Sequence, residues 1–296
     1  WAWCQFFSVA AQTDTVFIYP VVRLDSVVIA ESRSGFNVEE FIRFVEQDTT
    51  FYQAFRNLRT IAYTTLANVR MFNSKGVVEA SLHSKSVQSV AGNCRWMEQN
   101  YQYATGSIFD KRGEMAYYTA KMFAYLFLYN DTLCSGVETA KKKSKSESQL
   151  EKRKEQLKTL VFNPGKPVEG IPFINSKLSI FDPAMMPYYD YTITSQRYNG
   201  TTECYVFTIA AKSGVKENEV VLKFMETWFN KADFSILARD YRLSTDNLLF
   251  DFDVTMQVKM TRIAQQMVPG AVVYNGTWNA PGKRRETGNV HIQISE

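Results

Sequence analysis

The chain is poor in the residues that build reaction centres. It holds only two histidines, His83 and His291, and four cysteines, Cys4, Cys94, Cys134 and Cys204. The cysteines lie far apart with no CxxC spacing, which argues against a zinc cluster or a thioredoxin-type site. GxGxxG, Walker-type, HExxH and GxSxG motifs are all missing, so no dinucleotide, phosphate-loop, zincin or hydrolase signature is present. No apolar run reaches the roughly 20 residues of a membrane-spanning helix. The residues therefore give no enzyme, no cofactor and no metal site.

What is there describes a folded chain rich in rings. Hydrophobic residues make up 45% and aromatics 14% of 296 residues, enough to bury a large core in one large domain or two ordinary ones. The formal charge of +4 comes largely from the Lys-rich stretch 139–158, not from basic residues spread over a face, so nucleic acid is not an expected partner. That stretch reads as a solvated helix or connector, with a surface for anionic lipid or an acidic partner as the alternative.

The strongest pattern is Phe250 to Met260. Phe250, Phe252, Val254, Met256, Val258 and Met260 alternate with Asp251, Asp253, Thr255, Gln257 and Lys259. Successive side chains of a strand point to opposite faces, so this is a strand with one apolar and one wet wall. Six more candidate strands accompany it: 188–198, 204–211, 220–229, 234–243, 271–278 and 290–294. Short polar turns such as Tyr198-Asn199-Gly200 separate them, which predicts hairpins and an antiparallel meander, not a parallel βαβ sheet. Upstream, 16–30 reads as an edge strand or extended arm. Asn37 with Glu40 resembles a helix start, and Asp48 a second cap that breaks or bends the helix. A hairpin follows over 61–88 around Asn73-Ser74-Lys75-Gly76. Met115 to Tyr129, almost wholly apolar yet free of Val and Ile, predicts a helix covered on nearly every side.

A meander with one apolar face must cover it, and the predicted helices are the available covers. The fold class is therefore α+β, an incomplete antiparallel β-barrel, or curved meander sheet, wrapped around helices. Met122, Phe123, Leu126, Phe250, Phe252, Val254, Met256, Val258 and Met260 are the candidate lining residues, whether of a pocket for an apolar ligand or of a filled core. Asp251 and Asp253 share a strand face at a separation compatible with acid and base work or cation binding, but Arg239 and Arg242 on the preceding strand favour cross-strand pairing. His291 is placed on a polar strand face. A transmembrane barrel fits poorly, since the stretches 37–58 and 139–158 are helical or polar.

Two segments carry a resemblance. Glu219 to Arg239, a strand running into Asn230-Lys231-Ala232-Asp233 and a second opening Ile236-Leu237-Ala238-Arg239, is similar to a hairpin of the periplasmic lipoprotein-carrier fold, the LolA/LolB-like and RseB-like group. Val268-Pro269 before Val272-Val273-Tyr274, closed by Trp278, is similar to that group's last hairpins. The resemblance covers mainly 188–294, with an echo over 37–96; the Lys-rich connector and the 16–30 arm depart from it. Asp14-Thr15-Val16, Asp48-Thr49-Thr50 and Asp131-Thr132-Leu133 also match a short O-glycosylation pattern of exported Bacteroidota proteins. The resemblance implies a non-enzymatic exported protein, periplasmic or associated with the outer membrane, that carries a lipid or lipidated passenger on its concave face, with peripheral membrane contact. The alternative is an envelope protein-interaction or sensor-regulating module with a filled core. Residues 1–12 read as a truncated signal peptide ending near Val9-Ala10-Ala11, or as a frayed end. Were they removed, three cysteines would remain, permitting one bridge or none. Residues 13–35 form the arm, and 36–296 one LolA-like domain with a charged connector at 139–163.

Overall fold

The alternation at 250–260 becomes the long strand Asp251–Ile263, one of twelve that hydrogen-bond into a single sheet. The computed structural model describes residues 27–29, 38–129, 132–134, 159–167, 174–246, 251–279 and 284–296. In chain order the strands are β1 (Val27–Ile29), β2 (Tyr63–Phe72), β3 (Val78–Ala91), β4 (Cys94–Gly106), β5 (Leu133–Cys134), β6 (Tyr189–Tyr198), β7 (Thr202–Ala211), β8 (Leu222–Asn230), β9 (Ile236–Asp246), β10 (Asp251–Ile263), β11 (Gln266–Asn279) and β12 (Glu286–Ser295). Among the described residues the helices α1 (Val38–Gln47), α2 (Thr50–Asn57) and α3 (Tyr118–Phe127) accompany them, with a helical turn at 159–162.

The sheet runs β1-β6-β7-β8-β9-β10-β11-β12-β2-β3-β4-β5, open between its two edge strands. Every pairing is antiparallel except the short parallel contact of β1 with β6. The C-terminal meander is the one expected from the turn chemistry. The β12–β2 pairing, Val290 opposite Val69 and Ile292 opposite Ala67, joins the two halves of the chain into one sheet. Of the arm expected over 16–30, Val27–Ile29 is an edge strand, and the rest lies outside the described residues, as do residues 1–12, Asn37 and the Lys-rich run at 139–158.

Twelve flat strands at about 4.8 Å spacing would span more than 50 Å, whereas a helix is about 10 Å wide. Three short helices nevertheless reach strands far apart in the sheet order. Phe41 of α1 meets Phe207 of β7 and Phe229 of β8, Phe51 of α2 meets Tyr241 of β9, and Phe123 of α3 meets Tyr274 of β11. The sheet therefore curls around the helices, and one continuous apolar core fills the space between them. The break at Asp48 has a local cause: its Oδ1 accepts from the Thr50 amide at 3.2 Å and the Thr50 hydroxyl at 2.6 Å, starting α2 on a new axis. α3 is shorter than the 115–129 apolar stretch, because residues 114–116 are held in an antiparallel bridge with 108–110, Phe109 opposite Met115, instead.

Candidate functional site

The inner face of the sheet begins with β10. Phe252, Val254, Met256 and Val258 all point inward and are buried, at 0 to 1% exposure. Met256 lies between Tyr241 of β9 and Tyr274 of β11. Phe252 packs its ring 4.8 Å from that of Trp278, its partner on β11. Across the interior, Met122, Phe123 and Leu126 project from α3 and are buried as well. Phe123 touches Tyr274, ring to ring at 5.0 Å, so Tyr274 bridges the α3 group and the β10 group. Met260 is only partly buried, because the β10–β11 pairing slips between Lys259 and Met260, skipping Gly270. Phe250 lies outside the described residues.

The lining is packed closely enough to constrain its backbone. A Cβ on Gly276, opposite Val254, would collide with Tyr274 Oη and stand 2.8 Å from Val254 Cγ1. The absence of a side chain there lets the Tyr274 ring lie along the strand and accept a 2.5 Å hydrogen bond from Trp278 Nε1. Burial drives the Tyr274 and Tyr241 phenols well above their ordinary pKa, which keeps both neutral. Tyr241 donates to the Val161 carbonyl at 2.5 Å, tying the helical turn at 159–162 to β9.

α3 is seated by a residue that local sequence does not reveal. The Glu286 carboxylate, at the start of β12, accepts from the Tyr118 amide at 2.9 Å and the Thr119 amide at 3.1 Å. It supplies from 168 positions away the cap that Tyr117 cannot, and it sits at the positive end of the helix. The other end is held by Tyr63, whose hydroxyl reaches the Leu126 carbonyl at 3.5 Å, and by Gln88. Gln88 Nε2 donates to the Leu58 and Ile61 carbonyls, while Oε1 accepts from the Tyr129 hydroxyl at 2.5 Å.

The interior also carries polar groups. Thr65 of β2 and Ser84 and Ser86 of β3 are buried, and among the described residues none of the three hydroxyls has a hydrogen-bond partner. Thr65 is paired with Ser86 across the strands, and Ser84 lies opposite Ala67, so the three form one polar spot on adjacent strands. Arg239 corrects the sequence reading. Instead of pairing with Asp251 or Asp253 on the wet face, it points inward, with its guanidinium 4.3 Å from the Phe51 ring centroid and Nε donating to Thr227 Oγ1 at 2.9 Å. Arg242 behaves as expected: it holds Asp253 through two hydrogen bonds of 2.9 and 2.7 Å. Asp251 has its own arginine, Arg285, at 4.0 Å.

Asp253 and Arg242 border a shallow groove of ≈ 400 Å³ on the outer face, with Thr255, Asn275, Thr277, Thr287 and Phe72. Each carboxylate is bound by a separate arginine, so the two do not form an acid and base pair. His83 and His291 are both exposed, and His83 bonds Tyr101 at 3.0 Å. Among the described residues, no group of three His, Cys, Asp or Glu could hold a metal. Cys94 and Cys134 are bridged, tying edge strand β5 to β4, and Cys204 is a buried free thiol. Among the described residues, no helix is long and apolar enough to cross a membrane.

No protein-family model matches the chain, and neither does any curated protein. Among the solved structures it is similar to are the following three. One is a DUF1329 family protein from Desulfovibrio piger, at 10% identity, covering 84% of this chain and 92% of that one with a TM-score of 0.25. Another is a putative outer membrane lipoprotein-sorting protein domain from Vibrio parahaemolyticus, at 8% identity, 83% and 89% coverage and a TM-score of 0.26. The third is a LolA superfamily protein from Nitrosomonas europaea, at 9% identity, 84% and 93% coverage and a TM-score of 0.22. The fold assignment itself rests on the strand register described above.

Proposed function

We propose that this protein is a non-enzymatic exported carrier that takes a lipid or lipidated passenger onto the inner face of its curved sheet, with α3 as a displaceable plug. The observation that carries the reading is the row Phe252, Val254, Met256 and Val258 facing Met122, Phe123 and Leu126 across Tyr274. Four large side chains of α3, Met122, Phe123, Leu126 and Phe127, are buried there. At about 1.5–3 kcal/mol each they hold the plug with roughly 6–12 kcal/mol. A long acyl chain, at about 0.8 kcal/mol per methylene, offers on the order of 10 kcal/mol before the costs of binding. The exchange is close to balanced, which suits a carrier that must also release. The Thr65, Ser84 and Ser86 hydroxyls support the same reading, since a permanently sealed core leaves each of them unsatisfied at about 1–3 kcal/mol. The Cys94–Cys134 bridge fits an oxidising compartment.

A second reading has its own observation. Every described lining residue except Met260 is closed to solvent, as in a filled core whose surface binds an envelope protein. Phe44 and Phe234, each 39% exposed, would belong to such a surface. Organic extraction of the purified protein followed by mass spectrometry separates the two. Stoichiometric co-purified lipid, or saturable uptake of a fluorescent acyl probe, is the carrier's result. Protein that is lipid-free and refuses the probe leaves the interaction module.

A further inference from the structure

The inner apolar row ends on a charge. In the strand register Val258 of β10 is the direct partner of Arg239 of β9, while Met256 and Val254 are partnered by Tyr241 and Leu243. From Phe252 to Val258 the row is about 20 Å long at about 3.3 Å per residue, longer than the roughly 15 Å depth of one membrane leaflet. Arg239 is 5% exposed, yet among the described residues it has no ion pair. Its surroundings hold a second cation. Lys166, half-buried, donates to the Glu46 carbonyl at the end of α1, and the charges of Lys166 and Arg239 act on each other. Among the described residues the one acid whose charge acts on both is Asp48, whose Oδ2 is buried and has no hydrogen-bond partner there. Glu46 acts on Lys166 as well, so the two cations and two carboxylates under the α1–α2 elbow balance in number, but among the described residues neither carboxylate forms an ion pair with the Arg239 guanidinium. Burial pushes the Arg239 guanidinium down to about 10, which still leaves it charged at neutral pH. A buried charge without a direct counter-ion is unfavourable, and a guanidinium fork is shaped for an oxyanion.

We propose that Arg239, assisted by Lys166, binds the anionic headgroup, carboxylate or phosphate, of an amphiphile whose chain lies along Phe252 to Val258. This deepens the carrier reading and rests on it. In the closed protein the charge of Asp48 acts on Arg239 without forming an ion pair with the guanidinium; the headgroup supplies the direct partner.

The test uses the full chain and three probes below their aggregation concentrations: oleate, an oleoyl lysophosphatidate and the neutral methyl ester of oleate. Affinities are read by displacement of a fluorescent acyl reporter. At least one anion should bind ten times tighter than the ester, and which of the two does so identifies the headgroup as carboxylate or phosphate. Arg239→Met, whose unbranched side chain still packs on Phe51, should abolish that tenfold preference and leave ester binding unchanged. Arg239→Lys, which keeps the charge and loses the fork, should reduce the preference, as should Lys166→Met. Equal binding of ester and both anions by the parent overturns the headgroup site while leaving the carrier reading intact. So does an anion preference that survives Arg239→Met. If none of the three probes binds, the carrier reading fails and takes this site with it.

Discussion

Truncating Phe123 to alanine tests the plug directly. The ring is fully buried, 5.0 Å from Tyr274, 5.6 Å from Phe162 and 6.3 Å from Phe127. Its removal deletes transfer energy and leaves a hole between α3 and β11, a loss of about 3–5 kcal/mol. At roughly 2 °C per kcal/mol for a chain of this size, the ligand-free protein should melt about 6–10 °C lower. If the ring occupies the place of an acyl chain, the variant starts with part of the plug already withdrawn. A ligand then displaces less native packing, its affinity rises, and its stabilisation grows as the logarithm of that affinity. Differential scanning fluorimetry with and without oleate or its methyl ester reads this, and the ligand-induced rise in Tm should be larger for Phe123→Ala than for the parent. Phe229→Ala is the control, because that ring is equally buried but packs against Phe41 and Phe44 on α1, away from the α3 plug. Equal ligand shifts in the parent and both variants, or equal gains in both variants, would refute a plug at α3.

Three further outcomes follow from the geometry. Glu286→Ala should cost about 1–2 kcal/mol by uncapping α3, and hydrogen exchange should show the loss of protection concentrated in the amides of Tyr118 and Thr119 and the turn that follows. Reducing Cys94–Cys134, which are 40 positions apart, should remove about 4 kcal/mol on the loop-entropy account, seen as a lower denaturant midpoint that Cys94→Ser reproduces and reductant then leaves unchanged. The third concerns pH. Hydrogen bonds from the Ser235 hydroxyl and amide hold the Asp233 carboxyl below its usual range, so the unfolded chain takes up its proton first as pH falls. The contribution of Asp233 is therefore fully present above the ordinary carboxylate pKa and is lost as pH drops through the folded value. Asp233→Asn should be less stable at neutral pH and should show a shallower loss of stability in acid titration of the Tm.

Much of this architecture could be read along the chain. Asp48 announced the break between α1 and α2 because its side chain acts on the residue two positions on, within reach of local sequence. The alternation of β10 placed Phe252, Val254, Met256 and Val258 on one face because side-chain direction in a strand depends only on parity. Parity also shows where the reading stops. It held until the pairing slip at Lys259/Met260, which depends on how β11 accommodates Gly270 and Pro269. Arg239 shares the parity of Tyr241 and Leu243 and not that of Arg242, so the period alone turns it inward against the usual preference of charge for the surface; what the period does not carry is that Phe51 and Thr227 meet it there.

The sequence by itself determined the C-terminal meander with its turns, the β2–β3 hairpin, the apolar row and the need for helices to cover it, since each follows from residue type and period over a few positions, whereas β4 and β5 carry no such period. The tertiary structure alone decided that β12 closes onto β2, that Glu286 caps a helix 168 positions away, that Cys94 finds Cys134, and that a guanidinium lies buried beside Val258. Those contacts join residues far apart in the chain, and only the folded path of the sheet sets the distance between them.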